Sequence, residues 1–239
     1  MNRLTQIWVY IEESPLLWLA LTLCVYWLAQ QLYRRTGAFA LLNPVLVSVT
    51  VLVAILAATG TPYDDYFDGA QFIHFLLGPA TVALAVPLAA QATELRRHWL
   101  SIALALGAGS LTAVISAMAI GWAMGLDGQT LLSMLSKSVT TPIAMGVSEQ
   151  IGGLPSLTAV LVIVTGIIGA VIGIPLLRLI RVREPAAKGL AMGVAAHGIG
   201  TARAFEHGER AGAYAGLGMG LNGALTALLV PLLVWVFGF

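Results

Sequence analysis

The sequence predicts an all-α, polytopic membrane helix bundle of six spans plus two broken or re-entrant segments, up to eight crossings in all, with internal repeats. Three observations predict it. Of 239 residues, 59% are hydrophobic and only 10% charged, with a mean hydropathy of +0.90. A soluble domain carries about 25% charged residues, so this chain cannot clothe a water-facing surface. Its apolar residues fall into uncharged stretches close to the roughly 20 residues that a helix needs to cross the hydrocarbon core. The few polar groups inside those regions gather in two segments interrupted by proline and glycine. No charged or Pro/Ser-rich linker divides the chain, which reads as a single membrane domain over residues 1–239.

The uncharged stretches run from Ser14 to Leu32, Asn43 to Gly60, Gly69 to Thr93, Trp99 to Leu126, Ile151 to Leu177 and Ala211 to Phe239. The first is too long for the apolar core of a cleaved signal, and Glu12 and Glu13 precede it where a signal carries positive charge; it is expected to be a retained span. Asn43-Pro44 opens the second span, as a helix start or as a polar contact. Gly78-Pro79 and Pro87 are expected to kink the third. Trp99 and Trp122 bracket the fourth as interfacial aromatics do.

Basic residues mark the cytoplasmic side. Arg34 and Arg35 follow the first span, Arg96 and Arg97 the third, and Arg178, Arg181, Arg183 and Lys188 the stretch that ends at Leu177, whereas Asp64, Asp65 and Asp68 follow the second. The N-terminus is therefore placed outside. Parity then requires the segment Leu131–Gln150 to enter and leave by the outer face, as a re-entrant hairpin. The segment Gly189–Phe205 is open to either reading.

Gly109, Gly166 and Gly223 are spaced by 57 residues, as are Ala113, Ala170 and Ala227. The run from Leu76 to Ala85 also echoes that from Leu135 to Ala144. With 26 glycines in the chain such matches arise easily by chance; the structural reading is a broken segment followed by a small-residue helix, repeated, which is a common plan of secondary transporters.

The first broken segment is Lys137-Ser-Val-Thr-Thr-Pro-Ile-Ala-Met-Gly-Val-Ser-Glu-Gln150. Pro142 removes a donor and is expected to push Thr141 away from helical angles. Thr140 and Thr141 are candidate donors to a solute or to the freed carbonyls. Lys137 and Glu149 would each cost about 2.5–3.5 kcal/mol facing lipid at mid-depth, so they pair, line water or anchor the hairpin at an interface. The second segment carries Ala196-His-Gly-Ile-Gly-Thr-Ala-Arg203. Gly198 and Gly200 permit a break and close backbone approach. His197, Thr201 and Arg203 are candidate binding residues, with Arg203 a fork suited to a carboxylate; the plainer alternatives are a packed histidine and an Arg203–Glu206 pair. Asn222, among small residues in mid-span, suits solute contact or an interhelical hydrogen bond.

Other classes find no support. A net charge of +1 without a basic patch excludes nucleic acid as a partner. The lone Cys24 supplies neither disulfide nor metal site, and no metal, phosphate-loop, dinucleotide or triad motif is present. No cofactor is expected.

Asn43-Pro-Val-Leu, the run Phe75–Pro87, Lys137–Glu149, Gly153-Leu-Pro-Ser-Leu-Thr-Ala and His197-Gly-Ile-Gly-Thr-Ala-Arg together resemble the LrgB/CidB family of holin/antiholin-like bacterial membrane proteins, over roughly Leu16 to Leu233. The resemblance implies a multi-pass protein of the cell membrane, a role in controlling murein hydrolases and autolysis, and a small LrgA/CidA-type membrane partner. It also implies kinship with the plant plastidic glycolate/glycerate transporter and with bacterial carriers of pyruvate or acetate. Two functions follow as expectations: a carrier of small monocarboxylates, expected as a homo-oligomer in the bilayer, and alternatively a holin-like regulator acting by helix association. A lesion made by associating helices gains nothing from buried Lys137, His197 and Arg203, whereas an anion carrier needs such groups.

Overall fold

A backbone in hydrocarbon must satisfy its own polar groups, and every described element of the chain is a helix. The computed structural model describes residues 15–37, 39, 42–76, 79, 82–83, 85–90 and 92–238. Expectations resting on Glu12, Glu13 and Gly78 lie outside the described residues. The chain groups into two compact units, Met1–Ala83 and Leu84–Phe239.

In the first unit, α1 (Pro15–Arg35) ends on Arg34 and Arg35, cations that suit a helix C-terminus. Helix α2 (Pro44–Thr59) starts because the Asn43 side chain accepts from the Val45 and Leu46 N–H groups, and it stops at Gly60 in the left-handed conformation. Asn43-Pro44 is thus a helix start. Helix α3 (Tyr63–Phe75) packs on α1 through the edge-to-face pair Trp18–Tyr66, 6.0 Å between centroids, and the Thr22–Tyr66 hydroxyl contact of 3.2 Å. It closes on a turn in which Leu76 N–H donates to the Ile73 carbonyl at 3.1 Å. The third apolar stretch is therefore not one helix from Gly69 onward.

In the second unit, the short helices α4 (Ala85–Ala90) and α5 (Ala92–Arg97) precede three long ones: α6 (Trp99–Ala123), α9 (Pro155–Leu179) and α11 (Glu209–Phe237). Their 25, 25 and 29 residues reach about 38–44 Å at 1.5 Å each, enough to cross. Together with α1 they are the described helices long and apolar enough to span a membrane. Outward residues such as Trp99, Trp122, Leu228 and Trp235 are exposed, while Ser110, Ser133, Ser148, Thr158 and Asn222 are buried. This inside-out distribution is what lipid selects.

Between α6 and α9 the chain forms a hairpin. Helix α7 (Gly128–Met134) is capped by Asp127, whose side chain accepts from Thr130 N–H at 3.0 Å; a turn follows, and α8 (Thr141–Gln150) runs back. Neither arm is long enough to cross. The return is explicit: Ser136 Oγ donates to the Ala144 carbonyl at 3.0 Å, Leu154 N–H donates to Ser133 Oγ at 2.7 Å, and Thr158 Oγ1 donates to the Ser133 carbonyl at 2.9 Å. Leu131–Gln150 is a hairpin whose two ends come back together. Thr140 holds the extended angles (φ −64°, ψ 146°), and Thr141 already belongs to α8. The break sits one residue before the expected one, because Pro142 fits the first helical turn, where its missing N–H has no partner to lose.

The second broken segment, α10 (Pro185–Phe205), is also a hairpin. Its helical hydrogen bonding is interrupted at Ala196 (φ −130°, ψ 18°) and His197 (φ 41°, ψ −131°). The ingoing arm runs parallel to the start of α11: a Cβ on Gly189 would stand 2.0 Å from the Ala211 carbonyl oxygen, and one on Gly193 2.0 Å from that of Ala215. These are small residues four apart letting two backbones touch. Beyond the break the chain doubles back, for a Cβ on Gly200 would stand 2.4 Å from the Met192 carbonyl oxygen. In one straight helix those residues would lie about 12 Å apart. The turn is at Ala196-His197 rather than at Gly198; Gly200 instead allows the two arms to meet.

Each hairpin returns to its own face and is followed by one crossing helix, so the two hairpin–helix units have opposite topology, as inverted repeats do. The glycines spaced by 57 residues all face hairpins: Gly109 meets Val194, Gly166 meets His197, and Gly223 meets Ile143. The helix of each unit thus packs against the hairpin of the other.

Two predictions follow from this packing. In a Cys24→Ala background, single cysteines replacing Asp127 or Gln150 should both react with an impermeant thiol reagent added outside. Cysteines replacing Arg183 or Glu209 should react only after permeabilisation. Opposite labelling of the two ends of either hairpin would make that segment a crossing. Separately, Gly193→Ala should lower the melting temperature of the purified protein sharply, whereas Gly220→Ala, with nothing within 4 Å of the added Cβ, should leave it nearly unchanged.

Candidate functional site

The two hairpin tips meet on one side chain. Asn222, fully buried near the middle of α11, donates from Nδ2 to the Ser138 carbonyl at 3.2 Å and to the Val194 carbonyl at 3.0 Å. Its Oδ1 accepts from Ser110 Oγ of α6 and, at 3.4 Å, from Thr226 Oγ1. An amide has two donor and two acceptor positions, and all are used. Carbonyls that the turns deprive of helical partners are satisfied here, at the depth where water is scarcest. Of the two roles read for Asn222, the interhelical hydrogen bond is the one formed.

Beside this junction lies a cavity of about 630 Å³ between α6, the first hairpin tip, α9 and the ingoing arm of the second hairpin. Its wall is rich in alanine, with Lys137, Ser138, Thr112 and Thr165 as the polar contributors. Lys137 is half-buried and makes no ion pair among the described residues. A cation at this depth is costly unless water or an anion meets it. Ala105, Ala187 and Leu190 also line a second pocket of about 420 Å³ toward the basic side, where Glu94, His98, Glu184, Arg210 and Tyr214 stand. Arg210 bridges Glu94 and Glu184 across it, the latter at 3.0 Å.

The other candidates lie around the cavity rather than in its wall. Thr140 and Thr141 are half-buried behind the tip. Glu149 is exposed near the far end of α8 and does not pair with Lys137. His197 is 4% exposed, and its Nε2 lies 2.9 Å from the Val162 carbonyl; a carbonyl only accepts, so Nε2 carries the proton. Thr201 Oγ1 donates to the His197 carbonyl at 2.8 Å, capping the turn. Positive φ in a histidine costs about 1–3 kcal/mol, and these two bonds hold it. Gly198 is uncrowded, its nearest neighbour Met219 at 3.9 Å. Arg203 is buried on the return arm and pairs with Glu206 three residues on.

Ser110, Thr112, Thr165 and the Glu94–Arg210–Glu184 group carry no signal in the sequence beyond ordinary hydroxyls in apolar runs and charges at helix ends. Their positions depend on helix rotation. Ser133, Ser148, Thr158 and Gly153 form a hydroxyl-lined base for the first hairpin: Thr158 Oγ1 lies 2.7 Å from Ser148 Oγ, and a Cβ on Gly153 would meet the latter at 2.4 Å.

Crossing helices with two opposed helical hairpins joined at mid-depth define a multi-pass membrane protein with a polar centre. The LrgB-like family model matches residues 22–236. Relatives named antiholin-like protein LrgB, from Bacillus cereus and Bacillus anthracis, are each 33% identical over 225 residues, 94% of this chain and 98% of theirs. The chain belongs to the LrgB-like family. No solved structure matches it.

Asn222→Ala would leave the Ser138 and Val194 carbonyls buried without their donor. Unsatisfied buried groups cost about 1–3 kcal/mol, while hydrogen bonds between membrane helices average about 0.6 kcal/mol. A loss of about 2 kcal/mol is expected in unfolding of the purified protein. An unchanged transition would remove Asn222 as the junction.

Proposed function

We propose that the protein carries small organic monocarboxylates, of the pyruvate, acetate or glycolate class, through the cavity between the hairpin tips. The observation that supports this reading most is Lys137, a cation without an acidic partner among the described residues, in the wall of a largely apolar cavity. A carboxylate would pair with its ammonium group, and the hydroxyls of Ser138, Thr112 and Thr165 stand where they can donate to it. The methyl or hydroxymethyl remainder of a small acid suits alanine walls. His197 and Thr201 hold a turn, Asn222 joins the tips, and Thr140 and Thr141 support the first tip. The second pocket is the route to the cytoplasmic side, with Arg210 and its two carboxylates across the mouth. The bilayer in question is the cytoplasmic membrane, and a homo-oligomer or a small LrgA/CidA-type chain is the expected company.

The relatives, antiholin-like LrgB proteins, favour a second reading, a holin/antiholin-like regulator of murein hydrolase activity and autolysis. The two readings separate at Lys137.

In proteoliposomes, counterflow of labelled pyruvate, glycolate and acetate should be seen with the wild type. Hydrogen bonds to charged groups contribute about 1.5–3 kcal/mol, so Lys137→Gln should weaken uptake at least tenfold, and Lys137→Arg by less. Both comparisons are made on folded protein, since Asn222 and not Lys137 joins the tips. No counterflow by wild type, with loss of autolysis control in cells unaffected by Lys137→Gln, would put the antiholin-like reading first.

A further inference from the structure

We propose that the base of the second hairpin is a binding site for a phosphate group, formed by Arg178, Lys188 and His207. The three side chains come from separate segments: the last turn of α9, the ingoing arm of α10, and the link between α10 and α11. They line one pocket of about 190 Å³, whose remaining wall is Ile174, Pro185 and Ala211. No carboxylate lines it. Water occupies about 30 Å³ per molecule in the liquid, so the pocket admits a tetrahedral oxyanion together with some of its hydration.

The geometry of this pocket points to an anion, and the state of His207 agrees with it. Two cations, Arg178 and Lys188, and the His207 imidazole converge from three segments on one concavity that no carboxylate lines. Glu206, the acid that acts on His207, is paired with Arg203. The charge balance is also legible in His207. Burial, then Arg203, Arg178 and Lys188, hold it below the ordinary histidine range, with Glu206 opposing. Near neutral pH the imidazole is uncharged and offers one N–H donor, beside the permanent charges of Arg178 and Lys188. A phosphate oxyanion suits a mixed set of this kind better than a carboxylate, because three oxygens can face three donors.

The pocket stands at the end of the bundle marked by basic residues, where lipid headgroups lie. The phosphate could therefore belong to an anionic phospholipid or be free in the cytoplasm. Either would tie the end of α9 to both ends of the second hairpin.

The test uses the full chain in phosphatidylcholine nanodiscs, with inorganic phosphate added at constant ionic strength against chloride. The His207 ring signals, assigned with His207→Gln, are followed by NMR across pH. Phosphate should raise the His207 midpoint and the melting temperature. Arg178→Gln and Lys188→Gln should each abolish both effects while leaving the phosphate-free melting temperature within a degree or two. In nanodiscs containing phosphatidylglycerol, a midpoint already raised and insensitive to phosphate identifies the lipid headgroup; a persisting response identifies free phosphate. No movement in either membrane, or an equal response in Lys188→Gln, would overturn the site.

Discussion

Asn222 holds together what the rest of the second unit depends on. Two hairpins that turn inside a bilayer each leave carbonyls without helical partners, and hydrocarbon offers nothing to replace them. One amide on α11 donates to a carbonyl at each tip and accepts from α6, so four segments meet through its four positions. Hydrogen bonding of this kind is directional, which dispersion between alanine and leucine faces is not. It sets how deep each hairpin reaches and where the two tips stand relative to α6.

Around that junction the packing is made by absent side chains. Gly189 and Gly193 bring the ingoing arm of α10 against the carbonyl ridge of α11, and Gly200 brings the return arm against the ingoing one. In water such contacts would be reinforced by hydrophobic burial; in lipid the driving force is close van der Waals contact and satisfied polar groups. The small walls have a second effect. Alanines and a glycine from α6 and α10 leave open the volume that becomes the cavity, and the cation in its wall, Lys137, is carried on the adjoining tip. Rigidity at the junction and space beside it arise from the same choice of small residues.

The site differs from the arrangement that residue types alone favour. Arginine is the better carboxylate fork, yet Arg203 lies on the return arm with Glu206 within one helical turn, and that local pair forms. Lys137, for which the sequence left pairing, lining water and anchoring open, stands at the tip of the first hairpin in the cavity wall. His197 has its proton on Nε2 committed to a backbone carbonyl and its own carbonyl to Thr201. Its chemistry is spent on shaping the turn.

Much of the fold is legible in the chain because lipid imposes simple rules. Span lengths, the basic side, and the parity argument that makes Leu131–Gln150 a hairpin all depend on composition along one dimension, and so does the 57-residue spacing of Gly109, Gly166 and Gly223. The two polar segments that build the tips were visible for the same reason, as charge and proline in hydrocarbon are conspicuous. What the tertiary structure alone decided was the choice among alternatives: that α10 reverses at His197 rather than crossing, that Asn222 clamps both tips, and that Lys137 rather than Arg203 faces the cavity. Each depends on the rotation of a helix about its axis and on contacts such as that of Asn222 with Ser138, 84 residues apart in sequence. Hydropathy averages over a helix face by face and carries no record of which face meets which, so those choices are settled only when the helices pack.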